Sequence, residues 1–175
     1  MGRIKEFTPE KLIIGILLGP GIELQMVTER LEEIFGKIDF SSRKIPFTFT
    51  NYYAREMGNE LFRYFISFEE LKDPSTLASI KLKTNEIELY FSLEGKRRVN
   101  LDPGSMALSR FVLASTKESS HRIPLEKGIY GEITLMFERK SFRPLEWTYP
   151  DYRSETYIEI LNRIRRIYWA QLKNR

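Results

Sequence analysis

Along the first hundred residues the spacing of apolar positions changes several times, and each change marks an element. Residues 11–18 (K-L-I-I-G-I-L-L) form an unbroken apolar run of strand length, the pattern of a strand buried on both faces inside a sheet. Gly19-Pro20-Gly21 ends it. Over 22–35, Leu24, Met26, Val27, Leu31, Ile34 and Phe35 recur at three- and four-residue steps, which predicts one face of a helix that stops at Gly36. Ile45, Phe47 and Phe49 then alternate with Pro46, Thr48 and Thr50. Phe62, Tyr64, Ile66 and Phe68 alternate with Leu61, Arg63, Phe65 and Ser67, so two strands follow, the first at an edge because of its proline. Asp73 and Pro74 supply a cap and a first-turn residue for a second helix, whose buried stripe is Leu77, Ile80, Thr84, Ile87 and Phe91, ending at Gly95. Residues 97–101 return as a strand that ends in the turn string Asp102-Pro103-Gly104.

The order βαββαβ predicts an α+β fold of the ferredoxin-like kind, an antiparallel sheet with two helices on one face. A short apolar segment at 106–114 follows, then a hairpin of 122–125 and 129–137 around Glu126-Lys127-Gly128. Residues 142–147 read as a last strand. The stretch 154–172 reads as a final helix with Tyr157, Ile160, Leu161, Ile164, Ile167, Tyr168 and Leu172 on its buried side. At 175 residues, the chain is expected to be a single domain, 1–175.

Composition restricts the chemistry. The absence of cysteine excludes disulfides and thiolate metal sites, and with one histidine any metal site would be mainly carboxylate, suited to Mg²⁺ rather than zinc. The start lacks a signal-peptide pattern and the longest apolar run is too short to span a bilayer, so a soluble, cytoplasmic protein with no membrane partner is expected. Charge is concentrated. Residues 96–127 hold seven Lys and Arg against three acids, an excess equal to the +4 of the whole chain. The same stretch holds the single histidine, His121, among Ser115, Thr116, Ser119 and Ser120. Cations mixed with hydroxyls suit an anionic oxygen ligand such as phosphate.

Four strings carry a resemblance: N-L-D-P-G at 100–104, L-A-S-T-K at 113–117, H-R-I at 121–123 and W-T-Y-P-D-Y-R-S at 147–154. Together they resemble an uncharacterised prokaryotic family defined by a domain of unknown function, whose signatures are NLDPG and DYR. The resemblance runs from Lys11 to the final helix. It implies a family and no activity, and the chain has no G-x-x-x-x-G-K-[ST] phosphate loop.

Each candidate residue has a functional and a plain reading. Asn100 and Asp102, at a strand end, would present a carboxylate to a metal or hydroxyl, or would serve local turn chemistry. Ser115, Thr116 and Lys117 would bind a phosphate, with His121 as acid or base and Arg122 as a forked donor, or all would lie in a solvated loop. Glu132 shares a strand face with Tyr130, Thr134 and Met136; it would meet Asp102 if that face is open, or would simply face solvent. Tyr149 or Tyr152 would stack on a base while Arg153 grips phosphate, or Asp151 and Ser154 would cap the last helix. Asn51-Tyr52-Tyr53 is an aromatic site without an assignable role.

The leading expectation is therefore a site that binds, or binds and turns over, a phosphorylated or nucleotide-like small molecule. Lys117, Arg122, Arg153 and Arg98 would hold the anion, Asp102 and Glu132 would take Mg²⁺ or orient a hydroxyl, and His121 would move a proton. Two alternatives belong to other classes: an RNA-binding or ribonucleoprotein-associated module using sheet aromatics as a stacking platform, and a protein-interaction domain without catalysis.

Overall fold

The apolar run becomes β1 (Lys11–Leu18), an interior strand buried at all eight positions. A computed structural model describes residues 2–174. After β1 come α1 (Leu24–Phe35), β2 (Ile38–Ser41), β3 (Ile45–Pro46), α2 (Ala54–Met57), β4 (Phe62–Phe68), α3 (Leu77–Tyr90) and β5 (Val99–Met106). The chain closes with β6 (Arg110–Ser115), β7 (Ile123–Pro124), β8 (Tyr130–Glu138), β9 (Ser141–Pro144) and α4 (Glu155–Lys173). Asp73 accepts a hydrogen bond from the Ser75 amide ahead of α3, and Ser154 accepts from the Tyr157 amide ahead of α4, as capping chemistry requires. No helix among the described residues is long and apolar enough to cross a membrane.

The fold is α+β. The strands form one antiparallel sheet in the order β2-β4-β1-β5-β6-β8-β7, with β3 also on β4 and β9 also on β8. Leu12, Ile14, Ile16 and Leu18 of β1 point to one face, where Val27, Leu31 and Phe35 of α1 and Ile80 and Ile87 of α3 cover them. The opposite face is covered too: Ile13, Phe65 and Phe111 pack under Tyr157, Ile160, Leu161 and Ile164 of α4, and Leu17 packs with Phe47, Met57 and Leu61. The arrangement is thus three-layered at its centre, with α1 and α3 on one face and α4 on the other.

Three expectations change. Residues 47–49 leave the sheet: Phe47 turns under the second face and Phe49 meets the Tyr157 ring at 5.9 Å. Asp102-Pro103-Gly104 is not a turn but the middle of β5, and the turn falls after Met106. The reason lies in backbone hydrogen bonding. β6 joins β5 only from Gly104, so upstream the β6-side groups of β5 need other partners. The buried side chains of α3 supply them: the Leu101 amide donates to Glu88 at 2.7 Å and its carbonyl accepts from Lys81 at 2.8 Å. Pro103, two residues on and facing the same way, has no N–H to leave unpaired. The third change is in β8. Its register against β6 slips between Phe111 and Val112, so Glu132 opposite Leu113 and Leu135 opposite Phe111 lie on one face, not on alternate faces.

Gly104 marks a tight crossing, because a Cβ there would lie 2.5 Å from the Phe111 ring and 2.8 Å from the Val112 carbonyl oxygen. Gly104→Ala is expected to lower stability by about 1–3 kcal/mol through overpacking, read as a lower urea midpoint with unchanged slope. A wild-type midpoint would show that the β5–β6 crossing is looser than described.

Candidate functional site

On the second face the side chains of β1 run Ile13, Gly15, Leu17, and the missing side chain at Gly15 leaves a gap between two apolar clusters. Arg63 of β4 fills it. A Cβ on Gly15 would lie 3.1 Å from Arg63 Nη1 and 3.1 Å from the Tyr152 hydroxyl. Gly15 pairs with Asp102 across β5, and Arg63 Nη1 donates to Asp102 Oδ2 at 2.7 Å while Nη2 lies 3.5 Å from Asp151 Oδ2. Asn100 donates to Asp102 Oδ1 at 2.9 Å and accepts from Arg97 at 3.0 Å, and Arg97 forks onto Glu56 with two 2.8 Å bonds. The NLDPG and DYR strings therefore meet, through an arginine that neither contains.

The electrostatics of this inner cluster follow from its burial. Burial opposes ionisation of Asp102, but the charges of Arg63 and Lys81 and hydrogen bonds from Arg63 and Asn100 overcome it, holding the carboxyl below its usual range. Asp151 goes the other way, raised by burial and by the nearby Asp102 against the pull of Arg63. Burial raises Tyr53 and Tyr152 as well, and pushes Tyr157 up to about 12. Among the described residues, Arg63 Nε and the Tyr152 hydroxyl find no hydrogen-bond partner in this packed interior.

The outer cluster lies on the same face, further along the sheet. Glu132 is 1% exposed, and one of its oxygens, Oε2, accepts from Arg122 Nε at 2.7 Å and lies 3.0 Å from His121 Nε2. His121 Nδ1 sits 3.0 Å from the Ser119 hydroxyl, and its ring stacks on Trp147 with centroids 5.3 Å apart. Arg122 also donates to the Lys117 carbonyl at 2.8 Å and to the Tyr149 hydroxyl at 2.7 Å. Desolvation works against the Arg122 charge, and the bonds to Glu132 and Tyr149 prevail, raising its pKa. Lys117 reaches away from this network, its ammonium 4.4 Å from the Tyr52 ring centre.

Residues 147–153 tie the two clusters together. Trp147 and Tyr149 belong to the outer one, Asp151 and Tyr152 to the inner one, and Arg153 fixes the segment by donating to the carbonyls of Thr148 and Glu146. Arg153 thus holds its own loop. Tyr152 is 3% exposed and packs in the core, so no base can stack on it there. Ser115 accepts from the Lys117 amide and Thr116 is exposed, while Arg98 donates to the Phe91 carbonyl, apart from both clusters. Asp102 and Glu132 are each neutralised by a different arginine, and among the described residues no three His, Asp or Glu side chains stand together as a metal site.

Reasoning from sequence missed Arg63, Arg97 and Glu56 of the inner cluster and left Tyr53 without a role. One signal pointed there: a glycine inside a fully buried strand, which implies close approach by another group. A groove of about 540 Å³ lined by Phe7, Glu10, Ser75, Arg110 and Tyr168 lies away from both clusters, and its charged pair, Glu10 and Arg110, is already joined at 2.7 Å.

Two kinds of chemistry are open to these groups. The outer rim offers exposed rings and a cation, suited to a flat, anionic ligand, and the buried Glu132 can orient an imidazole for proton transfer. Against known proteins, the family model of a domain of unknown function, DUF4416, matches residues 8–168. No curated protein and no solved structure matches the chain.

Proposed function

The chain belongs to the DUF4416 family, and on the geometry of the outer cluster we propose that it binds a phosphorylated, nucleotide-like small molecule. The observation that carries this reading is the set of open rings beside basic side chains: Tyr52 next to the Lys117 ammonium, Tyr149 on Arg122 and Trp147 on His121 are 63, 44 and 39% exposed. Rings left open to solvent cost hydration and suit base stacking, and Lys117 with Ser115 and Thr116 gives a phosphate an ammonium and two hydroxyls. Arg122 and Arg153 support the site by holding it together. Asp102 keeps both oxygens on Arg63 and Asn100 in the neighbouring cluster, so the anion and the rings, not a metal, carry the reading. The sheet centre, covered on both faces, lacks the flat stacking platform that RNA binding would use, which favours the small-molecule reading.

The test is a thermal-shift screen of nucleotides and sugar phosphates, with and without Mg²⁺. A ligand at a hundred times its Kd adds about 2.7 kcal/mol, which for a chain of this size raises Tm by roughly 5–10 °C. Lys117→Ala is expected to remove most of that shift while leaving the Tm of the free protein within about 2 °C, because an exposed side chain contributes little to folding. No shift with any member of the screen would sink the proposal.

The strand order β2-β4-β1-β5 with helices after β1 and β4 supports reading residues 11–106 as a ferredoxin-like βαββαβ unit, to which β6–β9 and α4 are added. A chain without cysteine suits a reducing compartment such as the cytoplasm.

A further inference from the structure

We propose that Ser119 is a nucleophile, that His121 is its general base and Glu132 the residue that positions the base, and that the outer cluster hydrolyses a carboxylic ester. The proposal goes beyond ligand binding and does not depend on a phosphate. It begins with Glu132, whose Oε2 accepts a hydrogen bond from Arg122, and a carboxylate held that way has only acceptors to offer. His121 Nε2, 3.0 Å away, therefore carries the hydrogen of the neutral ring. That leaves the lone pair on Nδ1, and Nδ1 faces the Ser119 hydroxyl at 3.0 Å. The array runs serine, imidazole, buried carboxylate, with each contact in hydrogen-bond range, which is the arrangement that activates a hydroxyl.

The surroundings keep the array in register and open. Trp147 stacks on the imidazole at an interplanar angle of 13°, and its own Nε1 donates to the Ile133 carbonyl at 2.8 Å, so the ring plane is fixed from outside the turn. The Arg122 amide closes the turn onto the Ser119 carbonyl at 3.0 Å. The His121 side chain is 22% exposed against 1% for Glu132, so an ester can arrive from solvent while the carboxylate stays dry. In the reaction Ser119 Oγ attacks the carbonyl carbon and its proton passes to His121 Nδ1. The tetrahedral intermediate expels the alcohol, which takes that proton. Water, deprotonated by His121, then attacks the acyl-serine, releasing the acid and returning the proton to Ser119.

The test uses the full chain and a fluorophosphonate probe, from whose phosphorus Ser119 Oγ would displace fluoride, read by intact mass and peptide mapping. One adduct at Ser119 is expected, absent in Ser119→Ala and formed at least about 100-fold more slowly in His121→Gln. Glu132→Gln should lower the maximal labelling rate without changing the probe concentration for half-maximal rate, a split that a merely structural role would not produce. Both Ser119→Ala and His121→Gln alter partly exposed side chains and should keep the wild-type Tm. No adduct on the wild type, an adduct elsewhere, or wild-type labelling of His121→Gln would overturn the assignment. Labelling without any nucleotide-induced thermal shift would retain the nucleophile and remove the nucleotide reading; a thermal shift without labelling would do the reverse.

Discussion

Arg63→Met is expected to lower folding stability by about 3–5 kcal/mol, the cost of leaving buried charge without its partner. Arg63 is 2% exposed and answers both Asp102 and Asp151, so removing it strands two carboxylates in the interior. A total of about 5–15 kcal/mol makes that loss a large part of the whole. Arg63→Lys should recover some of it, since a lysine keeps the charge but cannot fork between two acids. The pH dependence should also reverse. In the wild type Asp102 is depressed, so its contribution is complete above an unfolded-state pKa of about 3.9 and is lost as pH falls through its lower folded value. Asp151 is raised and has the opposite sign: its contribution is complete below that unfolded value and fades as pH rises through the folded one. Without Arg63, only the Lys81 charge and the Asn100 hydrogen bond oppose burial at Asp102, so its pKa rises, and acidification should stabilise the variant where it destabilises the wild type. Urea midpoints of both proteins between pH 3 and 7 read this directly. Parallel pH curves would refute the inner cluster as described.

The second large effect is expected at Arg122. Arg122→Ala removes the cation from Glu132 and also the bonds to Lys117 and Tyr149, and should cost about 3 kcal/mol. For a chain of this length that is a fall in Tm of roughly 6–12 °C. Arg122→Met combined with Glu132→Leu should regain much of the loss, because an apolar pair leaves no stranded charge. If the double variant is no more stable than Arg122→Ala, coupling of the two charges is not what holds the loop. The same result bears on ligand studies, since loss of binding in Arg122→Ala would report a collapsed rim and Lys117→Ala is the cleaner probe.

Where one period of apolar residues governs a segment, sequence and structure agree: β1, α1, α3 and α4 lie where their spacing placed them, with the Asp73 and Ser154 caps in use. Disagreement arises where tertiary partners decide. Arg63 sits in a strand whose alternation gives no sign of what covers either face, and α4 with residues 47–57 covers the one it is on. Asp-Pro-Gly has turn composition, yet Lys81 and Glu88 stand in for missing strand partners and let the chain run straight through. Glu132 changes face because of a single register slip, which no periodicity within β8 records. His121, Arg122 and Glu132 were singled out separately and are joined in the fold; Asp102 was singled out with them and belongs to the neighbouring cluster.

The central claim, that the outer rim is a ligand site, is most directly tested by the fluorescence of Trp147, one of two tryptophans and the one stacked on His121. In Trp169→Phe protein, titration with a nucleotide that raises Tm should change the remaining emission along a saturating curve, and adding Lys117→Ala should weaken the apparent affinity at least about tenfold, as expected for loss of a charged contact of about 1.4 kcal/mol or more. Emission that does not change through the titration, or a curve that Lys117→Ala leaves in place, would contradict it.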